Sequence, residues 1–206
     1  MKYYFLLLLF VSNIILAQEE QTHCNIEQLS ESISVQQSLN TFTQEKTIKV
    51  LSKPLRSTGQ LLLIKEKGVI WQTLTPIKGT TVITPLQFIQ LDQNDNPSSF
   101  NSAMNGQTSL TMSTIFLGLL SGDIERLQQY FLIDSYCYQD DWLLTFTTTD
   151  EQVDKFLQKI VLTGSTNKIK KIELFEANQD YSKITLQPNE DNLAIEQLVP
   201  YFENQL

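Results

Sequence analysis

The 206-residue chain has one histidine, two cysteines, seven scattered glycines, and 15 basic residues against 23 acidic ones. Each shortage removes a class of function. Nucleophilic catalysis of the Ser-His-Asp or Cys-His kind needs an imidazole within reach of the nucleophile. The lone His23 sits in a polar leader and reads as a solvated tail residue. Zinc sites need three or four close His, Cys or carboxylate ligands, and His23 beside Cys24 supplies two. The glycines show no phosphate-cradling spacing, and no Gly-x-Ser-x-Gly elbow occurs. The acidic pairs Asp140-Asp141 and Asp150-Glu151 fall in turn-like segments and read as solvated charges. No catalytic residue is assigned, and neither enzymatic activity, a cofactor nor a metal is expected. The formal charge of −8 argues against nucleic acid as a partner.

What is present begins with an apolar run. Lys2 precedes Tyr3 to Val11, then Ile14 to Leu16, and Ala17 is followed by Gln-Glu-Glu. A basic start, a short apolar core and a small residue at the cut are the features of a secretory signal peptide. Residues 1–17 are read as that peptide, and an uncleaved anchor is the alternative. The run falls short of the ~20 residues a spanning helix needs. Residues 18–206 are expected to form a single domain. In an exported protein Cys24 and Cys137 are a candidate disulfide pair. Lipid modification of Cys24 and simple burial of Cys137 are the other readings.

Apolar residues at three- and four-residue steps, Ile26, Leu29 and Ile33, continuing to Gln36 and Leu39, predict a short amphipathic helix. A strand is expected from Thr41 toward Pro54. From Gly59 to Pro76 the pattern is that of a hairpin, with Leu61, Leu63, Val69 and Trp71 on one face and Leu62, Ile64 and Ile70 on the other. A strand pair that is apolar on both sides needs two partners, expected here as a packed layer on one side and something else, such as a ligand, on the other. Short strands follow at Thr80 to Thr84 and Leu86 to Leu91. A helix apolar around its girth is expected from Thr108 to Leu120, and a second from Ile124 to Gln129 capped by Asp123. Five further strands lie between Tyr130 and Gln187, and a terminal helix is expected at Asp191 to Val199. Nine or ten strands with these helices predict an α+β fold, a strongly curved antiparallel sheet with helices on one face, with an ordinary β-sandwich carrying a helical decoration as the alternative.

Phe42-Thr43-Gln44, Pro54-Leu55-Arg56-Ser57-Thr58-Gly59, Gly68-Val69-Ile70-Trp71, Pro76 and the late stretch from Ile172 to Ile184 together resemble the outer-membrane lipoprotein carrier (LolA) family, in its divergent LolA-like branch. The resemblance spans most of residues 26–187. It implies an unclosed half β-barrel whose concave face is covered by helices and holds acyl chains. On that pattern the lipid-binding residues are Leu61, Leu63, Val69 and Trp71, with Phe42, and the cover helix presents Ile115, Phe116 and Leu119. Carriers of the family have an arginine six residues after the glycine matching Gly59, where it holds the lid. Lys65 stands there in this chain and is the expected lid contact, less directional than a planar guanidinium.

The expected function is a periplasmic carrier or chaperone of a Gram-negative bacterium, acting as a monomer. It would take an acylated lipoprotein or other lipid cargo from an inner-membrane donor complex to an outer-membrane acceptor. The alternative is a half-barrel sensor or protein-interaction domain with no transported cargo.

Overall fold

The structure is a computed structural model that describes residues 23–99, 101 and 106–203; the expected signal peptide, residues 1–17, lies outside them. Ten strands form one antiparallel sheet: β1 Gln37–Thr47, β2 Leu55–Ile64, β3 Gly68–Thr75, β4 Gly79–Thr84, β5 Gln87–Leu91, β6 Phe131–Tyr138, β7 Asp141–Thr148, β8 Leu157–Ser165, β9 Lys168–Glu176 and β10 Tyr181–Pro188. Their spatial order, β5-β4-β3-β2-β1-β10-β9-β8-β7-β6, joins two five-stranded meanders through the β1–β10 pair. The helices are α1 Ile26–Ile33, α2 Gly106–Ser121, α3 Glu151–Asp154, α4 Asn192–Leu198 and α5 Pro200–Glu203, with a 3-10 turn at Glu125–Gln129.

Asn25 caps α1 by accepting from the Gln28 amide at 3.0 Å, and Leu29 and Ile33 form its buried side. The helix ends there. Gln36 and Leu39, expected to extend it, do not: Ser34 is already extended, and Leu39 lies in β1. Two ladders explain this, since β1 pairs with β2 on one side and β10 on the other. Backbone pairing on both edges outweighs a helical spacing of two residues.

The sheet is strongly curved. Phe88 of β5 and Leu157 of β8 are seven strand positions apart, which at ~4.8 Å per position would separate them by roughly 33 Å in a flat sheet. Both nevertheless line one cleft. Bends are built where an aromatic ring lies over a glycine on the neighbouring strand. Phe42 pairs with Gly59, and Trp142 with Gly164. A Cβ at Gly59 would come within 2.7 Å of the Phe42 ring, and one at Gly164 within 2.1 Å of the Trp142 ring. The ladder shifts beside both glycines, as expected where bulges and small residues set curvature.

Strands β5 and β6 are the two free edges, and the barrel does not close. Because α2 links one edge to the other, that connection must cross a face, and it crosses the concave one. Its Ser109 Oγ accepts from the Phe88 amide at 3.0 Å, and Asn101 Oδ1 accepts from the Gln90 amide at 2.8 Å while its Nδ2 donates to Gln90 O at 2.7 Å. Side chains thus occupy backbone groups that an edge strand otherwise offers to another chain.

The β6 edge is held differently. Cys24 and Cys137 are disulfide-bonded with Cα atoms 5.1 Å apart, and His23 Nδ1 donates to Ser135 O at 3.0 Å. His23 is exposed, yet this bond and its ring contact with Tyr136 at 5.2 Å anchor it, which a solvated tail residue would not show.

Two separate cores result. The concave one gathers Leu29 and Ile33 of α1, Ile115 and Leu119 of α2, and inward residues of both meanders. The convex one packs Leu39, Leu62, Ile70, Val82 and Leu91 against Ala194, Leu198 and Phe202 of α4 and α5. Both faces of the β2–β3 hairpin are therefore apolar because each has a helical layer. The inward face is left open only toward Trp71 and Thr73, which border a cleft.

Candidate functional site

The register sorts the concave face into rows. Leu63, Val69, Ile83 and Phe88 are cross-strand neighbours, and none exceeds 7% exposure. The next row is Leu61, Trp71, Thr81 and Gln90. Beyond it the strands reach Thr73 on β3, Lys46 on β1 and Glu176 on β9. At this end α2 does not fill the curve of the sheet, and a cleft of 560 Å³ opens.

One wall of the cleft is Trp71, Ile83 and Phe88; the facing wall is Leu157, Leu174 and Ile184; Met112 and Phe116 of α2 form the roof. Thr108, Met112 and Phe116 fall at four-residue steps and make one stripe of that helix. Ile115 and Leu119, turned from this stripe, are buried in the core. This is why α2 reads as apolar around its girth: one side packs and another roofs a cleft. Phe88 and Phe116 approach at 5.9 Å between ring centroids, and Phe42 supports Trp71 from behind at 5.1 Å.

The roof bonds to the sheet through serine side chains. Ser113 Oγ donates to Thr84 O, and Ser109 bonds to the Phe88 backbone. At its far end Ser30 Oγ of α1 donates to Gly122 O, just past α2. The mouth is polar: Lys46 Nζ donates to Glu176 Oε1 at 2.6 Å, and Gln44 Nε2 donates to Ser182 Oγ at 3.3 Å.

Of the expected lipid-binding residues Trp71 lines this cleft and the Phe42 ring meets Trp71 at a tilt of 54°; of the expected cover-helix residues Phe116 lines it. Leu61, Leu63 and Val69 lie in the packed core at 2%, 1% and 0% exposure. Lys65 is at the opposite end of the strands. It donates to Ser34 Oγ at 3.2 Å, the residue that ends α1, and borders a second cleft of 490 Å³ with Leu63, Leu117 and Ser121. Its helix contact is thus with α1, while α2 lies across that cleft. Met112, Ile83, Phe88, Leu157, Leu174 and Ile184 were not expected to line a site. Alternation along β4 and β5 exposes Ile83 and Phe88 as same-face residues, but the arrival of β8–β10 opposite them depends on the β1–β10 pair.

The perturbed titratable groups lie on the outer side of the sheet. Lys78 Nζ, 2.7 Å from Asp95 Oδ2, holds the Asp95 carboxyl below its ordinary value, and Tyr201 Oη donates to it at 2.9 Å. Asp95 in turn raises the Lys78 ammonium. This network fastens α5 to the loop after β5. On β9, burial works to raise Glu173, but donation by Lys171 at 2.7 Å and by the Tyr181 hydroxyl outweighs it and holds the carboxyl low. Burial, with Glu173 beside it, pushes the Tyr181 hydroxyl up to about 12. Among the described residues no cluster of three or more His, Cys, Asp or Glu side chains could hold a metal. The adjacent carboxylates serve locally, as Asp150 caps α3 by accepting from the Gln152 and Val153 amides. Among the described residues no helix is long and apolar enough to cross a membrane.

The fold is an unclosed half-barrel with a helix roofing an apolar cleft. The family model described as outer membrane lipoprotein carrier protein LolA-like matches residues 24–197, and the chain belongs to that family. Solved structures similar in fold include a LolA superfamily protein from Nitrosomonas europaea, 10% identical, covering 79% of this chain and 90% of that one with a TM-score of 0.39. The MucA/MucB complex of Pseudomonas aeruginosa matches at 15% identity over 84% of this chain and 58% of that one, TM-score 0.45. A putative outer membrane lipoprotein-sorting protein domain from Vibrio parahaemolyticus matches at 9% identity over 84% and 96%, TM-score 0.39. No curated protein matches by sequence.

Proposed function

We propose that this protein is a periplasmic carrier that holds an acyl chain in the cleft beneath α2. It takes an acylated lipoprotein or lipid-like product from an inner-membrane donor complex and releases it to an outer-membrane acceptor. The observation that carries the reading is the 560 Å³ cleft walled by Trp71, Ile83 and Phe88 and roofed by Met112 and Phe116. A concave apolar surface with a few polar groups at its mouth is the general form of a small-molecule site. Affinity would come from apolar area removed from water, about 25 cal/mol per Å². Release would come from lifting α2, which breaks the bonds of Ser109 and Ser113 to the sheet, at about 1 kcal/mol each.

Native mass spectrometry of the protein purified from a bacterial periplasm tests this. A co-purified acyl lipid is expected in the wild type and is expected to be lost in a folded Met112→Glu variant, because a charge on the roof is costly to bury. A clean apo mass, under conditions that preserve the complex of a known lipid carrier, would overturn it and favour a protein-binding role.

A further inference from the structure

The cleft has a direction. Its inner end abuts the row Leu63, Val69, Ile83 and Phe88, closed by packing against Ile115 and Leu119. Its outer end is where Gln44, Lys46, Ser182 and Glu176 meet. Along β1, Asn40 is opposite Leu61 of the Trp71 row, and Gln44 and Lys46 follow two and three rows further out, where they share their rows with Ile184 and, through Ser182, with Leu174. An extended ligand that satisfies both ends must lie tail inward and head outward.

The mouth also has a charge character. Lys46 and Glu176 are partly shielded, with side chains 32% and 25% exposed, and neutralise each other at 2.6 Å. The other polar side chains that line the cleft, Gln44, Ser182 and Thr73 toward the mouth and Thr81, Gln90 and Thr108 further in, are amide and hydroxyl. An anionic head would meet the Glu176 carboxylate, and a cationic head Lys46. A hydroxyl both donates and accepts, so it can bond to each member of the pair without unbalancing it. The volume adds a limit on size, since 560 Å³ lies within the roughly 300–1,000 Å³ typical of sites for one small ligand.

Resting on the carrier reading of the same cleft, we infer that its ligand is a single-chain amphiphile with an uncharged polyhydroxyl head, seated on Gln44, Lys46, Ser182 and Glu176. A glycerol head and a sugar head share this chemistry.

The test is displacement of the neutral fluorophore N-phenyl-1-naphthylamine from the purified protein by lauroyl compounds below their micellar concentrations. Monolauroylglycerol and a dodecyl glucoside are expected to displace it at about tenfold lower concentration than laurate or dilauroylglycerol, the difference made by about one charge-assisted hydrogen bond. Whichever of the two is stronger identifies the head as glycerol or sugar. The Lys46→Met, Glu176→Leu double variant is expected to lose that tenfold preference while still binding the fluorophore. Gln44→Met, which leaves the ion pair intact, supplies the same comparison at smaller amplitude if the double variant does not fold. Equal displacement by laurate or dilauroylglycerol, or a preference unchanged in the variants, would overturn the inference while leaving the carrier reading standing. Failure of the wild type to bind the fluorophore or any lauroyl compound would instead sink the carrier reading itself.

Discussion

Strands β1–β5 and strands β6–β10 are two meanders of the same size, and they are finished differently. The first half is covered on both faces: its inward residues pack under α1 and α2, and its outward residues Leu62, Ile70 and Val82 are fully buried under α4 and α5. The second half packs its inward residues Leu144, Phe146, Ile160 and Leu162 into the concave core. Its outer face has no helical layer among the described residues, and Leu132 and Tyr136 there are 61% and 42% exposed. Strand alternation shows the difference. In β7 the burial switches residue by residue, whereas Leu61, Leu62 and Leu63 of β2 are buried in succession. A strand with apolar residues on both faces therefore marks where a second protein layer lands.

The comparison breaks most severely if the second layer is removed. Ending the chain at Pro188 deletes α4 and α5 and exposes Leu39, Leu62, Ile70, Val82 and Leu91. The expected outcome is insoluble or unfolded protein on expression; a soluble, cooperatively folded product would show that the first half does not need its outer layer. Next in size is the disulfide at the edge of the second half, which closes a separation of 113 residues. In the chain-entropy account its loss, in the Cys24→Ser, Cys137→Ser double variant, costs about 4–5 kcal/mol. Urea unfolding checks this, and a midpoint unchanged from wild type would mean the leader contributes nothing to the β6 edge.

A matched pair of truncations compares the outer faces directly. Ile70→Ala in the first half is expected to cost about 2–5 kcal/mol. Val161→Ala, on the outer face of β8 and half-buried, is expected to cost below about 1 kcal/mol. Similar losses in the two would mean the outer faces are equally packed. The smallest effect is electrostatic. The folded-state value of Glu173 is depressed, so its contribution is full above about 4.5 and is lost as pH falls below that. Tyr181 is raised to about 12, so its contribution is full below 10.0 and is lost as pH rises toward 12. Tyr181→Phe is expected to remove the alkaline arm and weaken the acid one, while the Lys78–Asp95 pair of the first half is unaffected. A stability profile identical to wild type would remove Tyr181 from the account.

Much of the fold was legible along the chain. The parity of Leu61, Leu63, Val69 and Trp71, the turn before Gly68 and the five late strands follow from local alternation and turn chemistry, and the structure has them. Asp191, placed at the start of the terminal helix, is its cap, accepting from the Leu193 and Ala194 amides. Leu39 was misplaced because spacing alone does not register that β1 has partners on both sides. The site was legible in part. Trp71 and Phe116 carried enough signal to be placed near a cleft, whereas Leu157, Leu174 and Ile184 carried none, since they face it only through the pairing of β10 with β1.

By itself, the sequence determined which residues share a face, where the strands turn, which helix is apolar all round, and the family the chain belongs to. These are set by the two-residue and 3.6-residue periods and by turn residues, which act over a few positions. Only the tertiary structure decided which faces meet. The joining of the two meanders through β1 and β10, the curl that brings β5 toward β8, and the choice of concave face for α2 are contacts between residues far apart in the chain. The energy that selects them is burial against a partner, and a strand's own residues say how much surface must be buried without saying against what.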